Sequence, residues 1–133
     1  IIDDFIEFCR DRVRKQVAAL EIDADQYQLN IHVYGKSGTM GSREPIQDAT
    51  PHEIGILAEV LADDEETSLA VMAKTRLALL HSDFPGRKCI SGNLAIPFSP
   101  SDIPVGETYE FNLWHIMEIE DPLEPFPIEM VDL

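Results

Sequence analysis

Basic residues are scarce in this chain and absent from its last third. Ten Lys and Arg stand against 25 Asp and Glu, a formal charge of −15 with the histidines neutral, and residues 89–133 hold nine acids and no cation. Such a surface opposes nucleic acid, whose affinity is built largely from counterions released around Lys and Arg, and it disfavours anionic membranes for the same reason. Cysteine is nearly missing as well. Cys9 and Cys89 are too few for a secretory disulfide framework, so both are expected to be reduced. No apolar run approaches the ~20 residues that cross a bilayer. The short signatures of a zinc site, a phosphate loop and a serine nucleophile elbow are also absent. These absences make a cytoplasmic protein the expectation, with no metal, no cofactor, no membrane and no nucleic-acid partner.

What remains is the composition of a globular domain, 44% hydrophobic and 26% charged. At 133 residues one core is expected, and residues 1–133 read as a single domain. The chain opens inside a helical pattern without a methionine, so a fragment of a longer protein is the expectation. Ile2, Ile6, Cys9, Val13, Val17 and Leu20 recur at three- and four-residue intervals with charges between them, predicting an amphipathic helix over 1–20. Tyr27, Leu29, Ile31 and Val33 then alternate with Gln28, Asn30, His32 and Tyr34, a half-buried strand. Three glycines with Pro45 and Pro51 make 35–51 an irregular connection. A second strand follows from Glu53 to Ala62, with Ile54, Ile56, Ala58 and Val60 on one side.

Asp63 and Glu66 have capping-box spacing at the head of a second helix, for which Leu69, Met72, Ala73, Leu77 and Leu80 supply the expected buried stripe. Pro85-Gly86 stops it. Leu94–Phe98 reads as a short strand bounded by prolines, and Tyr109–Ile119 as a longer one. In the latter Tyr109, Phe111, Leu113, His115, Met117 and Ile119 face one way, Trp114 and Ile116 the other. Residues 27–119 thus form the core, and 120–133 an extended acidic tail punctuated by Pro122, Pro125 and Pro127. The order α-β-β-α-β-β predicts an α+β two-layer sandwich of ferredoxin-like architecture: a four-stranded, mainly antiparallel sheet with two helices on one face. Its other face would carry Leu57, Leu61, Trp114 and Ile116, enough apolar surface to require another domain or subunit.

Several stretches resemble a known family when taken together. They are Val33-Tyr34-Gly35-Lys36 with Thr39-Met40-Gly41, His52-Glu53-Ile54-Gly55, Pro85-Gly86-Arg87, the block Gly92–Asp102, Tyr109-Glu110-Phe111 and His115. In this series the chain resembles the C-terminal region of the acyclic terpene utilisation A (AtuA) family, from Tyr27 to Ile119. The resemblance implies a ferredoxin-like accessory domain of a catabolic protein acting on branched acyl-CoA thioesters, with a large N-terminal domain that these residues lack. It carries over no catalytic residues.

The side chains are therefore weighed on their own chemistry. His52, Glu53 and His115 are the weak catalytic candidates; a base oriented by a carboxylate is the chemistry, but strand neighbours point to opposite faces, and His115 sits among apolar residues as a core histidine would. His52, His81, His115 and Glu53 lack the local spacing that fixes a metal. Lys36, Arg43, Arg87 and Lys88 lie in loops on an otherwise acidic chain. If they converge, they make an anion site for the phosphates or carboxylate of an acyl-CoA; scattered solubilising charge is the alternative. Asn93, Ser99 and Ser101, with Asp102, sit in a proline-rich loop that either holds a ligand or satisfies its own backbone.

Two functions stay open. In one the chain is a non-catalytic accessory and assembly domain, a homo-oligomer or docked on the missing N-terminal domain, bordering an acyl-CoA or carboxylate pocket. In the other it is an enzyme domain with lyase, hydratase or hydrolase chemistry on a branched acyl substrate.

Overall fold

A computed structural model describes residues 1–88 and 96–131. Helix α1 (Ile2–Ala18) leads to strand β1 (Tyr27–Tyr34), a single 3-10 turn at Gly41–Arg43, strand β2 (Gly55–Ala62) and helix α2 (Glu65–His81). Acids at Asp3 and Asp4 and a basic last turn at Lys15 suit the dipole of α1. Beyond the helix, Glu21 takes φ 62°, the left-handed region usually left to glycine, as the chain turns toward β1.

The core is a helix-on-helix seam closed by a hairpin. Phe5, Cys9, Val13 and Val17 present one stripe of α1, and Val71, Thr75 and Ala78 answer from α2. Small side chains let the two backbones approach, so that the Cys9 thiol lies 3.6 Å from the Ala78 carbonyl. Thr75 is a buried polar residue of this seam, and its hydroxyl is satisfied by donating to the Val71 carbonyl one turn back at 2.9 Å. Phe5 also meets Phe84 at 4.7 Å between ring centres, tying the chain after α2 back to α1.

β1 and β2 are antiparallel, paired from Tyr27 with Ala62 to Tyr34 with Gly55. Tyr27, Leu29, Ile56 and Val60 turn toward the helices and are half-buried against them. The opposite face carries Gln28, Asn30, His32 and Tyr34 beside Leu57, Glu59 and Leu61, with His32 Nε2 and Glu59 Oε2 at 2.8 Å.

Two expectations about the sheet are corrected. The described residues form a two-stranded sheet, not a four-stranded ferredoxin-like one. Tyr109–Ile119 is neither helix nor strand, and its apolar side chains stand in solvent; period-two alternation makes a segment fit for pairing but supplies no partner. Of the other expected strand, Leu94 and Ala95 lie outside the described residues, and Ile96–Phe98 is irregular.

A third correction concerns α2. Its buried residues are Val71, Thr75 and Ala78, while Leu69 and Leu77 of the expected stripe are 40% and 42% exposed. At about 100° per residue, Leu69, Ala73, Leu77 and Leu80 lie on the side opposite to that seam. The helix is apolar on both sides, so periodicity had two answers, and close approach to Cys9 selected the one with smaller side chains. The N-cap also shifts by one residue. Asp64 accepts the Thr67 amide at 2.7 Å and the Thr67 hydroxyl at 2.8 Å.

Those bonds hold the Asp64 carboxyl below its ordinary pKa. Its contribution is therefore present above the ordinary carboxylate value and lost as pH falls through the lowered one. Asp64→Ala should lower the melting temperature at pH 7, Asp64→Asn should lower it less, and both differences should shrink in strong acid; thermal unfolding by circular dichroism checks this. Burial in the seam raises the Cys9 pKa, with the Ser82 hydroxyl and the Arg12 guanidinium acting the other way. In a Cys89→Ser chain at pH 8, a thiol reagent should label Cys9 at least tenfold more slowly in native buffer than in urea.

Candidate functional site

Each cation proposed for an anion site has a local geometry. The loop after β1 begins with a tight reversal at Gly35, φ 91°, where an added Cβ would meet the Glu53 carbonyl oxygen at 2.9 Å. The amides of Lys36, Ser37 and Gly38 all point back to the Val33 carbonyl, at 3.2, 3.1 and 2.8 Å, and the Gly41 amide to Ser37. A loop whose N–H groups are spent on its own carbonyls has few left to cradle a phosphate. The Lys36 ammonium is half-buried and ion-paired with Asp3 of α1. Together they edge a shallow cleft of about 430 Å³ whose charged lining is Asp3, Glu44 and Asp48 against Lys36 alone. Three carboxylates around one lysine favour a cation or a neutral polar group over an anion.

Arg87 belongs to a different structure. Its guanidinium donates to the Ser82 carbonyl at 2.6 Å and the Leu80 carbonyl at 3.2 Å, satisfying acceptors that the end of α2 leaves open. Arg43 is exposed on the 3-10 turn and does not line the Lys36 cleft. Lys88 is exposed beyond Arg87. Asn93 lies outside the described residues, as does Cys89. Ser99 and Ser101 line a second open cleft with Arg76, Ile96 and Phe98. There Arg76 Nε pairs with Asp102 Oδ2 at 3.0 Å, and the Ser101 hydroxyl donates to Asp102 Oδ1 at 3.0 Å. Sequence reasoning missed Arg76, because a single arginine inside a helix pattern carries no motif.

The catalytic candidates all lie on exposed backbone outside the helices and strands. His52 and Glu53 are exposed in the bend before β2, and His81 is exposed at the end of α2. His115 is exposed in the unpaired segment rather than in a core, since the strand that was to bury it has no partner sheet. Among the described residues no three His, Cys, Asp or Glu side chains gather as metal ligands. No helix among them is long and apolar enough to cross a membrane.

The most prominent feature is apolar surface. Leu57 and Leu61 are exposed on the outer face of the hairpin, Leu69 and Leu77 on the outer side of α2, and Tyr109, Phe111, Leu113, Trp114 and Ile116 along the last segment. Surface patches of this extent mark interaction sites. Comparison with protein-family models, with curated proteins and with solved structures found no match for the chain.

Arg87→Met should lower the melting temperature by a few degrees and raise amide exchange in the last turn of α2, by loss of two carbonyl contacts. Arg43→Met, exposed on its turn, should change neither measurement.

Proposed function

We propose that this chain is a non-catalytic accessory and assembly domain, part of a catabolic protein of the kind its resemblance to the AtuA family implies. Its task is to dock, through its apolar surface, on a larger domain of the same protein or on another subunit. One observation carries this reading. The accessible surface is 11288 Å² for a chain of 15.0 kDa, whereas a compact monomer of that mass exposes roughly 7,000 Å². The excess is more than twice the ~1,600 Å² that a standard protein interface removes from water.

The chemistry-bearing residues support the same reading by their dispersal. Lys36 is held by Asp3, Arg87 by the end of α2, and Ser101 by Asp102. His52 and His115 lie in separate exposed segments, each without a described hydrogen-bonded carboxylate. The clefts are open to solvent, where an acyl-CoA site encloses most of its ligand. A border role beside an acyl-CoA pocket is compatible with this arrangement, with the enclosing walls supplied by the companion domain.

Titration calorimetry of the purified chain tests the proposal. Coenzyme A and a branched acyl-CoA should give no saturable heat, and incubation with the thioester should leave it intact. Saturable binding abolished by Lys36→Ala or Arg87→Ala, or turnover of the thioester, would overturn the accessory reading in favour of an enzyme domain.

A further inference from the structure

β2 has an edge that nothing among the described residues covers. In an antiparallel pair, alternate residues turn their N–H and C=O groups toward the partner strand and away from it. On β1 the carbonyls of Leu29 and Val33 are engaged outside the ladder. Arg10 Nη1 donates to Leu29 at 2.9 Å, and the amides of the following turn donate to Val33. Leu29, Ile31 and Val33 are therefore the outward-turned residues of β1, and α1 and the turn occupy that edge. Their register partners Val60, Ala58 and Ile56 turn outward on β2. There no described residue donates to them or accepts from them. An edge that the described residues leave open is a template for another strand.

The same chain exposes a strand without a sheet. Tyr109–Ile119 has period-two alternation over eleven residues, long enough to span the eight of β2, and its apolar side chains stand largely in water, Tyr109 at 88% and Ile116 at 84%. In its own chain the segment does not pair with β2. The preceding residues are fastened elsewhere, by the pair between Asp102 and Arg76 of α2.

We propose that two copies of this chain exchange these segments reciprocally, Tyr109–Ile119 of each adding as a third strand to the β2 edge of the other. The proposal deepens the assembly reading above and rests on it. A two-fold exchange is self-complementary and closes, so both edges and both segments are used once. Facing strands would place Trp114 and Ile116 on the sheet face that already exposes Leu57 and Leu61. The alternate residues Phe111, Leu113 and Met117 fall on the helix side. Burying three aromatic rings per copy removes roughly 500 Å² each; doubled for the surfaces they cover and again for the second copy, the total is roughly 2,000 Å², above the standard interface. Charge opposes the pairing, since each copy carries −15. Association driven by apolar burial and backbone bonds should therefore strengthen as salt screens that repulsion, where an ion-paired interface would weaken.

Sedimentation equilibrium of the full chain, at low salt and at 0.5 M salt, tests this. The expected result is a dimer of twice 15.0 kDa, at least tenfold tighter in the higher salt. Leu113→Lys should return it to a monomer; Leu113 is 72% exposed, so the change does not disturb the monomer's own packing. Ala58→Pro should do the same from the other side, because its lost amide is one that β1 does not use; unchanged circular dichroism confirms that the hairpin survives. Amides of Ala58 and Val60 should exchange more slowly in the dimer than in the Leu113→Lys chain. A monomer at all concentrations, a dimer insensitive to Leu113→Lys, or an open-ended polymer would overturn the exchange. A monomer that binds no acyl-CoA sinks the exchange alone and leaves the accessory role standing. Thioester turnover sinks the accessory role, whatever the sedimentation shows.

Discussion

The contact between α1 and α2, with the Cys9 thiol against the Ala78 carbonyl, is the joint on which the rest of the molecule depends. It is built from small side chains, and the close approach they allow aligns Phe5, Val13 and Val17 with Val71 and Thr75 in one seam. The hairpin rests on that seam through Tyr27, Leu29, Ile56 and Val60. Phe84 is carried back onto Phe5 from beyond α2. Because the helices meet along their smaller residues, Leu69 and Leu77 of α2 are left exposed, while Leu79 packs at the margin of the core. The same choice that makes the core tight leaves the surface apolar.

That surface organises the functional reading. Two of the four loop cations expected at an anion site are committed to local roles, Lys36 to Asp3 and Arg87 to the carbonyls that end α2. Such pairs are what a strongly acidic chain with few cations favours, and Arg43 and Lys88 stay exposed on the surface. The exposed apolar surface is Leu57 and Leu61 on an otherwise largely polar sheet face, Leu69 and Leu77 on α2, and the alternating segment Tyr109–Ile119. The proposed assembly role rests on this exposed apolar surface.

Much of the secondary structure was legible from local pattern. The limits of α1, β1, β2 and α2 fall within a few residues of those read from periodicity and capping, because a stripe at three and four, or an alternation at two, is a property of a single segment. The misreadings share a cause. For α2 the leucine stripe marked the wrong side, since both sides are apolar and the decision lay with the fit against Cys9. The cap moved from Asp63 to Asp64 because either carboxylate precedes the helix, and only backbone geometry selects the one that reaches Thr67. His115 was read as a core residue on the strength of its neighbours, yet neighbours along a strand bury a side chain only when a second layer covers them. Arg76 and its link to Asp102 left no signal in the sequence, as a pair 26 positions apart in the chain has no spacing rule.

The sequence by itself determined the charge, the two helices and the first two strands, for these follow from composition and short-range periodicity. Only the tertiary structure decided which helix faces meet, where the loop cations go, and that Tyr109–Ile119 remains without a sheet in its own chain. The physical reason is that pairing and burial are relations between segments. Alternation tells a strand which side to bury, whereas the partner that buries it depends on the path of the chain between, and here Arg76 and Asp102 fasten that path to α2.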